Sequence, residues 1–267
     1  MNLDKIYNLK KKVFVVTGGS GFIGTNLIKN LNGFGSITIC IDINSPKNKK
    51  NCFFYQCDIT NENDVKINIK NIIKKFKKID VLVNLAGLAT PDMKKKKEIF
   101  FKDFSEYSFD AWKKSLDINL NGIFLITKEI VNSMKKNKNG SIVNVSSDLS
   151  IISPDHSLYK ANKKTNYKGV DFNTPISYSV TKTAILGFTR YLSTLLSKNN
   201  IRVNTISPAG IYNNQPQHFV KEFSKRIPLG RMASVQEITN AIIFLSSDAS
   251  SFVTGSNFVI DGGRTIV

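Results

Sequence analysis

Short runs of β-branched and aromatic residues alternate along the chain with longer stretches in which apolar residues recur every three or four positions. VFVVT (13–17), SITICID (36–42), CFFYQCD (52–58), DVLVNLAG (80–87), GSIVNVSS (140–147), IRVNTISPAG (201–210) and NFVIDGG (257–263) predict strands. The segments near 21–31, 62–77, 109–136, 176–198 and 234–247 predict helices. In the third of these, Trp112, Leu116, Leu120, Ile123, Phe124, Ile130, Val131 and Met134 fall at helical spacing, and Lys135, Lys136, Lys138 and then Gly140 mark its end. Ser234 and Glu237 have the spacing of a capping box at the start of the last helix. Apolar strands separated by helices predict an α/β fold with a doubly wound parallel sheet and helices on both faces. No internal repeat and no Pro/Gly/Ser-rich linker interrupts the pattern, so residues 1–267 are expected to form a single domain.

Composition narrows this picture without redirecting it. Apolar content is an ordinary 41%. The longest apolar runs, such as VFVV (13–16) and AIIFL (241–245), are far shorter than the roughly 20 residues of a membrane span. The N-terminal MNLDKIYNLKKK is basic, but the apolar run after it is too short for a signal peptide. A cytoplasmic protein without membrane contact is the expectation. Cys40, Cys52 and Cys57 are too few and too irregular for a disulfide framework or a zinc site, and His156 and His218 stand alone, so no metal is expected. The net charge of +18 raises the question of nucleic acid. The positive residues are nearly all Lys, spread along the chain and not interleaved with aromatics, which reads as a solvated surface. An anionic small substrate accounts for such a field better than RNA or DNA does.

The sequence TGGSGFIG (17–24) follows the first strand and opens a helix. Gly18, Gly21 and Gly24 would allow a tight turn, close approach of a phosphate and close packing of helix on sheet, with the pyrophosphate of a dinucleotide at the helix N-terminus. That is the signature of a Rossmann fold. Asp42 closes the second strand, 24 residues after Gly18, where a carboxylate accepts both ribose hydroxyls and repels a 2′-phosphate. NAD is therefore expected over NADP, although Lys47, Lys49 and Lys50 follow closely and would blunt the preference. Asp42 can also be read as a turn former.

YSVTK (178–182) places a tyrosine and a lysine four residues apart, on one face of a helix. A phenol with its ordinary pKa near 10 is a poor base at neutral pH, and a neighbouring ammonium lowers that value. TGGSGFIG, NLAG (84–87), LDINLNG (116–122), IVNVSS (142–147), YSVTK and IRVNTISPAG stand in this order at the ends of the predicted elements. Together they resemble the short-chain dehydrogenase/reductase family over essentially the whole chain. The resemblance implies that Tyr178 is the general acid/base and Lys182 its partner, that Ser147 holds the substrate oxygen and that Asn119 anchors a proton-relay water. It implies that Asp58 and Ile59 meet the adenine. Thr17, Ser20, Phe22, Ile23, Asn84, Ala86 and Gly87, together with Pro208, Gly210, Ile211 and Lys182 itself, would line the cofactor cleft.

Three departures from that pattern stand out. Leu85 occupies an unusual position in NLAG. The usual Pro-Gly is Pro208-Ala209, with Asn213 where a threonine is expected. Ser147 and Tyr178 are 31 positions apart, a much longer connection than the family ordinarily has. The added chain, within about 150–176, carries Lys160, Lys163, Lys164 and Lys168 with His156, Tyr159 and Tyr167, and reads either as a solvated excursion or as a wall that recognises an anionic substrate. With GIYNNQPQHFVKEF (210–223) and the loop 89–108, the insert resembles the flagellin-modification and surface-polysaccharide branch, the flagellin modification protein A type. That branch implies oxidation or reduction of a sugar phosphate, a nucleotide sugar or a nonulosonic-acid precursor.

The rival readings are a nucleotide-sugar epimerase or dehydratase of the extended branch, which needs a larger C-terminal region, and a cofactor-binding scaffold without turnover. The family also implies a homodimer or homotetramer through the helices at 109–136 and 176–198.

Overall fold

The computed structural model describes residues 6–48, 50, 52–88, 104–159 and 174–267. The β-branched runs form β1 (Val13–Thr17), β2 (Ile37–Asp42), β3 (Phe53–Gln56), β4 (Val81–Asn84), β5 (Gly140–Val145), β6 (Ile201–Pro208) and β7 (Asn257–Ile260). They pair in parallel throughout, in the order β3-β2-β1-β4-β5-β6-β7. The chain reverses its direction of sheet growth between β3 and β4, so the carboxyl ends of β1 and β4 flank the crevice in which open α/β sheets bind ligands.

The helices are α1 (Phe22–Gly33), α2 (Glu62–Phe76), α3 (Phe109–Leu116), α4 (Gly122–Asn137), α5 (Ile176–Leu196), α6 (Gln217–Ser224) and α7 (Val235–Ser246). Alternation along each strand divides the core in two. Val13 and Val15 of β1 join Val65, Ile69 and Ile72 of α2, Ile126, Ile130 and Met134 of α4 and Leu196 of α5. Phe14 and Val16 join Leu27 and Leu31 of α1 and Ile238 and Ile242 of α7. Ser234 caps α7 as the sequence predicts: its hydroxyl accepts from the Glu237 backbone N–H while the Glu237 carboxylate accepts from the Ser234 backbone.

The helix expected at 109–136 is helical throughout, but its winding changes partway. A single π-turn, Asp117–Asn121, separates α3 from α4. The extra residue in that turn rotates the apolar stripe, so that Ile126 joins Ile123, Ile130 and Met134 in the core while Phe124 is 50% exposed. Nor does Gly140 end α4. Lys138, in the left-handed region at φ 48°, caps it, and Gly140 begins β5, where a Cβ would lie 2.7 Å from the Met134 sulfur.

At the carboxyl end of the sheet four polar residues stand in one row: Thr17, Asn84, Asn144 and Thr205 are register partners across β1, β4, β5 and β6. Asn84 Nδ2 donates to Asn144 Oδ1 at 2.8 Å and to Thr127 of α4 at 3.3 Å. Asn144 Nδ2 and the Thr205 hydroxyl both reach Thr189 of α5, at 2.8 and 2.7 Å. α5, which carries Tyr178 and Lys182, and α4, which follows the turn holding Asn119, are thereby pinned to one level of the sheet.

Candidate active site

The turn after β1 is shaped by two glycines. Gly18 has φ +66°, and a Cβ there would meet the Ala86 backbone at 2.7 Å; a Cβ on Gly24 would meet the Gly18 carbonyl oxygen at 2.5 Å. Gly21 is the N-cap residue of α1 and donates to the Gly18 carbonyl at 3.0 Å. The Thr17 hydroxyl accepts from the backbone N–H groups of Leu85 and Ala86, both at 3.2 Å, and so binds the end of β1 to the loop after β4.

The Asp42 carboxylate accepts from the backbone N–H groups of Ser20 at 3.0 Å and Asn44 at 2.9 Å, beside the turn. It is thus a turn organiser, and a carboxylate with two acceptor oxygens still has capacity for a ribose. Asp58 is exposed, with Oδ1 taken by the Thr60 N–H and hydroxyl. Ile59 is buried against Gly122. The Asn84 side chain lies in the polar row beneath the crevice, and its Oδ1 has no partner among the described residues.

One cavity of about 800 Å³ opens from the glycine turn to the far wall of the crevice. Gly18, Gly21, Phe22, Ile23, Gly24 and Gly87 line one end, and Pro208, Gly210 and Ile211 another side. Ser147, Tyr178 and Lys182 lie between them. Tyr178 and Lys182 sit one turn apart on α5, with Lys182 Nζ 5.7 Å from the centre of the phenol ring. The ammonium donates to the Val145 carbonyl at 2.8 Å. A Cβ on Gly87 would stand 3.5 Å from Nζ, which places this ammonium against the backbone at the cofactor end. Burial pushes the lysine pKa down to about 8.

Asn119 sits in the π-turn, fully buried. Its Oδ1 accepts from the Leu88 N–H at 2.6 Å, and its Nδ2 donates to the Leu88 carbonyl at 3.2 Å and the Thr181 hydroxyl at 3.1 Å. Its side chain therefore ties the loop after β4 to α5.

Sequence reasoning did not find the group beside Ser147. Asp148 forms a buried ion pair with Arg264, the residue after the DGG run, and the guanidinium lies 5.0 Å from the centre of the Phe223 ring. The Ser147 hydroxyl donates to Asp148 Oδ1 at 2.9 Å. Burial raises the Asp148 pKa and is opposed by Arg264. The rest of the far wall is largely apolar, with Leu149, Leu158, Phe219, Phe223 and Met232. Asp155 binds Arg226 Nε at 2.5 Å, and Ser157 accepts from Arg226 Nη2 at 3.1 Å. These contacts latch the first part of the insert to the turn after α6. Hydrogen bonds from Ser157 and Arg226 hold the Asp155 carboxyl down at about 2.

Lys160, Lys163, Lys164, Tyr167 and Lys168, and most of the loop 89–108, lie outside the described residues. Among the described residues no cluster of metal-ligating side chains occurs, and no helix is long and apolar enough to cross a membrane.

A family model described as short chain dehydrogenase matches residues 12–168, and one described as enoyl-(acyl carrier protein) reductase matches residues 165–265. An NAD-dependent glycerol dehydrogenase of Listeria innocua is 30% identical over 98% of this chain and 97% of its own. A post-translational flagellin modification protein A of Campylobacter coli is 30% identical over 96% and 98%. The crystal structure of a short chain dehydrogenase from Leptospira borgpetersenii with bound NAD+ superposes with a TM-score of 0.86 at 31% identity, covering 99% of this chain and 97% of that one.

Proposed function

The chain belongs to the short-chain dehydrogenase family, and from that premise we propose that it is an NAD-dependent oxidoreductase that interconverts a secondary hydroxyl and a ketone on a sugar-like substrate. One observation carries the reading: Ser147, Tyr178 and Lys182 converge on the cavity that begins at the Gly18–Gly24 turn. The turn fits a dinucleotide, because Gly18 and Gly24 let it fold tightly against the loop after β4 and open α1 with its N-terminus at the cavity. Asp42 beside it favours NAD over NADP. When bound, NAD supplies the hydride acceptor.

The chain's own residues manage the proton and the oxygen. Tyr178 Oη takes the hydroxyl proton on oxidation and returns it on reduction, and the Lys182 ammonium favours its phenolate form. The Ser147 hydroxyl turns toward the reacting oxygen and stabilises the charge that develops there. Asn119 acts through the loop at Leu88 and through Thr181, holding Tyr178 and Lys182 in place relative to the turn.

We infer further that the substrate is a sugar phosphate, nucleotide sugar or nonulosonic-acid precursor of surface-glycan or flagellin modification. The similarity to flagellin modification protein A and the lysine-rich insert support this reading. The two family matches adjoin at 165–168, which favours one domain across the insert. The test is reduced-nicotinamide absorbance with a panel of anionic sugars and neutral polyols, with NAD and NADP compared and Tyr178→Phe as control. Turnover on an anionic sugar with NAD, abolished in Tyr178→Phe, is the expected result. Turnover restricted to neutral alcohols would overturn the anionic substrate, and failure to bind NAD(H) would overturn the oxidoreductase.

A further inference from the structure

The charged pair next to Ser147 is unusual for the wall it occupies. Asp148 and Arg264 are both more than nine-tenths buried, yet both line the cavity, surrounded by Leu149, Leu158, Phe223 and Met232. Two ions in such a setting are stabilised by each other but gain little over apolar residues of the same volume. Hydrogen bonding on the pair is also incomplete, for Arg264 Nε is buried and has no partner among the described residues. Asp148 Oδ1, by contrast, is engaged by the Ser147 hydroxyl at 2.9 Å and the Leu149 N–H at 2.9 Å.

We propose that Asp148, held by Arg264, is a subsite for the hydroxyl on the carbon next to the reacting one, so that the enzyme acts on vicinal diols and their α-hydroxy ketones. The proposal rests on the reading of Ser147 as the residue that binds the reacting oxygen. Hydrogen bonds are exchanged as the substrate binds. When Ser147 turns its proton to the reacting oxygen, Asp148 Oδ1 loses a donor. Two adjacent hydroxyls in a gauche arrangement stand about one hydrogen-bond length apart, the same separation as Ser147 Oγ and Asp148 Oδ1. The second hydroxyl can therefore donate to Asp148 as the first engages Ser147, and Asp148 Oδ1 keeps two donors.

A substrate that lacks the second hydroxyl leaves a buried carboxylate short of a donor, which is the situation in which a polar site discriminates most strongly. The pair carries no net charge, so this part of the cavity suits neutral hydroxyls.

The experiment compares butane-2,3-diol with butan-2-ol. The wild-type protein is expected to prefer the diol by about tenfold or more in kcat/KM. In Asp148→Leu/Arg264→Met, which replaces the pair by apolar side chains of similar size, the ratio is expected to fall to within about threefold of unity. Asp148→Asn, which leaves the Arg264 charge unpaired and so costs more stability, carries the same readout and should also reduce the ratio. For turnover too slow to measure, the complex of Tyr178→Phe with NAD+ is titrated with both alcohols by calorimetry, and the diol must bind about tenfold tighter. A wild-type ratio near one, a ratio that survives the double substitution, or equal or absent binding of the two alcohols overturns the subsite. Tyr178-dependent oxidation of butan-2-ol with no diol preference would do so while leaving the oxidoreductase intact. Loss of NAD(H) binding in the wild-type protein would instead count against the oxidoreductase.

Discussion

Replacing Lys182 by methionine should make the cofactor-free protein more stable at neutral pH, although the residue is assigned to the chemistry. The ammonium is buried against the Val145 carbonyl, and burial moves its pKa from 10.5 to about 8. Below pH 8 the folded and unfolded chains both carry the proton, and the folded one bears the full cost of burying it, at most about 3 kcal/mol. Between pH 8 and 10.5 the folded chain gives up this proton before the unfolded chain does. Unfolding then takes up a proton, and stability rises with pH. Methionine removes the charge but also the hydrogen bond to Val145, a loss of about 1–2 kcal/mol. The balance at pH 7 is a gain of about 1–2 kcal/mol for Lys182→Met, or about 2–8 °C in Tm for a chain of this size. At pH 10.5 only the lost hydrogen bond remains, and the variant should be the less stable protein. Scanning calorimetry of both proteins from pH 7 to 10.5 tests this, with the difference between them cancelling the common effect of the +18 surface. A difference that keeps one value across that range, or a variant less stable at pH 7, would refute the argument.

Two other perturbations address the turn and the latch. Gly24→Ala places a methyl 2.5 Å from the Gly18 carbonyl oxygen and 2.6 Å from the Gly19 Cα, backbone that cannot yield cheaply. It should cost about 1–3 kcal/mol of stability and weaken NADH binding in a fluorescence titration, and unchanged binding would dissociate this turn from the cofactor. Arg226→Ala removes a half-exposed latch and should change stability by no more than about 1 kcal/mol, while raising KM several-fold with kcat little altered. Because the Asp155 carboxyl sits at about 2, its contribution is present above the ordinary carboxylate value and is lost only as pH falls toward 2. Wild-type KM should therefore show no step from this group between pH 4 and 7, and a step there would contradict the latch.

The fold was legible because its signals are local and repeated. β1, β2, β4 and β5 are short apolar runs that end at, or within two residues of, a candidate site residue, and these endings fall at the same edge of a parallel sheet. The order TGGSGFIG, NLAG, IVNVSS and YSVTK is therefore an order in space as well as in sequence. The π-turn at Asp117–Asn121 was not legible, because the apolar positions on either side satisfy an unbroken helix about equally well. Asp148 and Arg264 are 116 positions apart, and nothing in SSDLS or in DGGR indicates that they pair. The far wall was hidden for a related reason: Phe219, Val220 and Phe223 share one face of a short helix, but nothing in their spacing indicates that this face meets Leu158, about 60 positions earlier. Asn84 shows the opposite case, a motif residue whose side chain turned out to lie under the crevice, in the polar row.

That row has a consequence for how the sheet finds its alignment. In a sheet covered on both faces, strands such as VFVV, VLV and IVNV carry apolar residues on either side. Sliding one past its neighbour then exchanges valine for isoleucine, and hydrophobic burial alone hardly distinguishes the alternatives. Thr17, Asn84, Asn144 and Thr205 break this degeneracy, because only one alignment lets the two amides bond each other, lets Asn144 and Thr205 reach Thr189, and sets Thr17 under the Leu85 and Ala86 N–H groups. Any slipped pairing would bury an amide against hydrocarbon, at a cost of about 1–3 kcal/mol for each group left without a partner. The row thus works as an alignment key for the folding chain, holding β1, β4, β5 and β6 to the one registration in which their reactive ends meet.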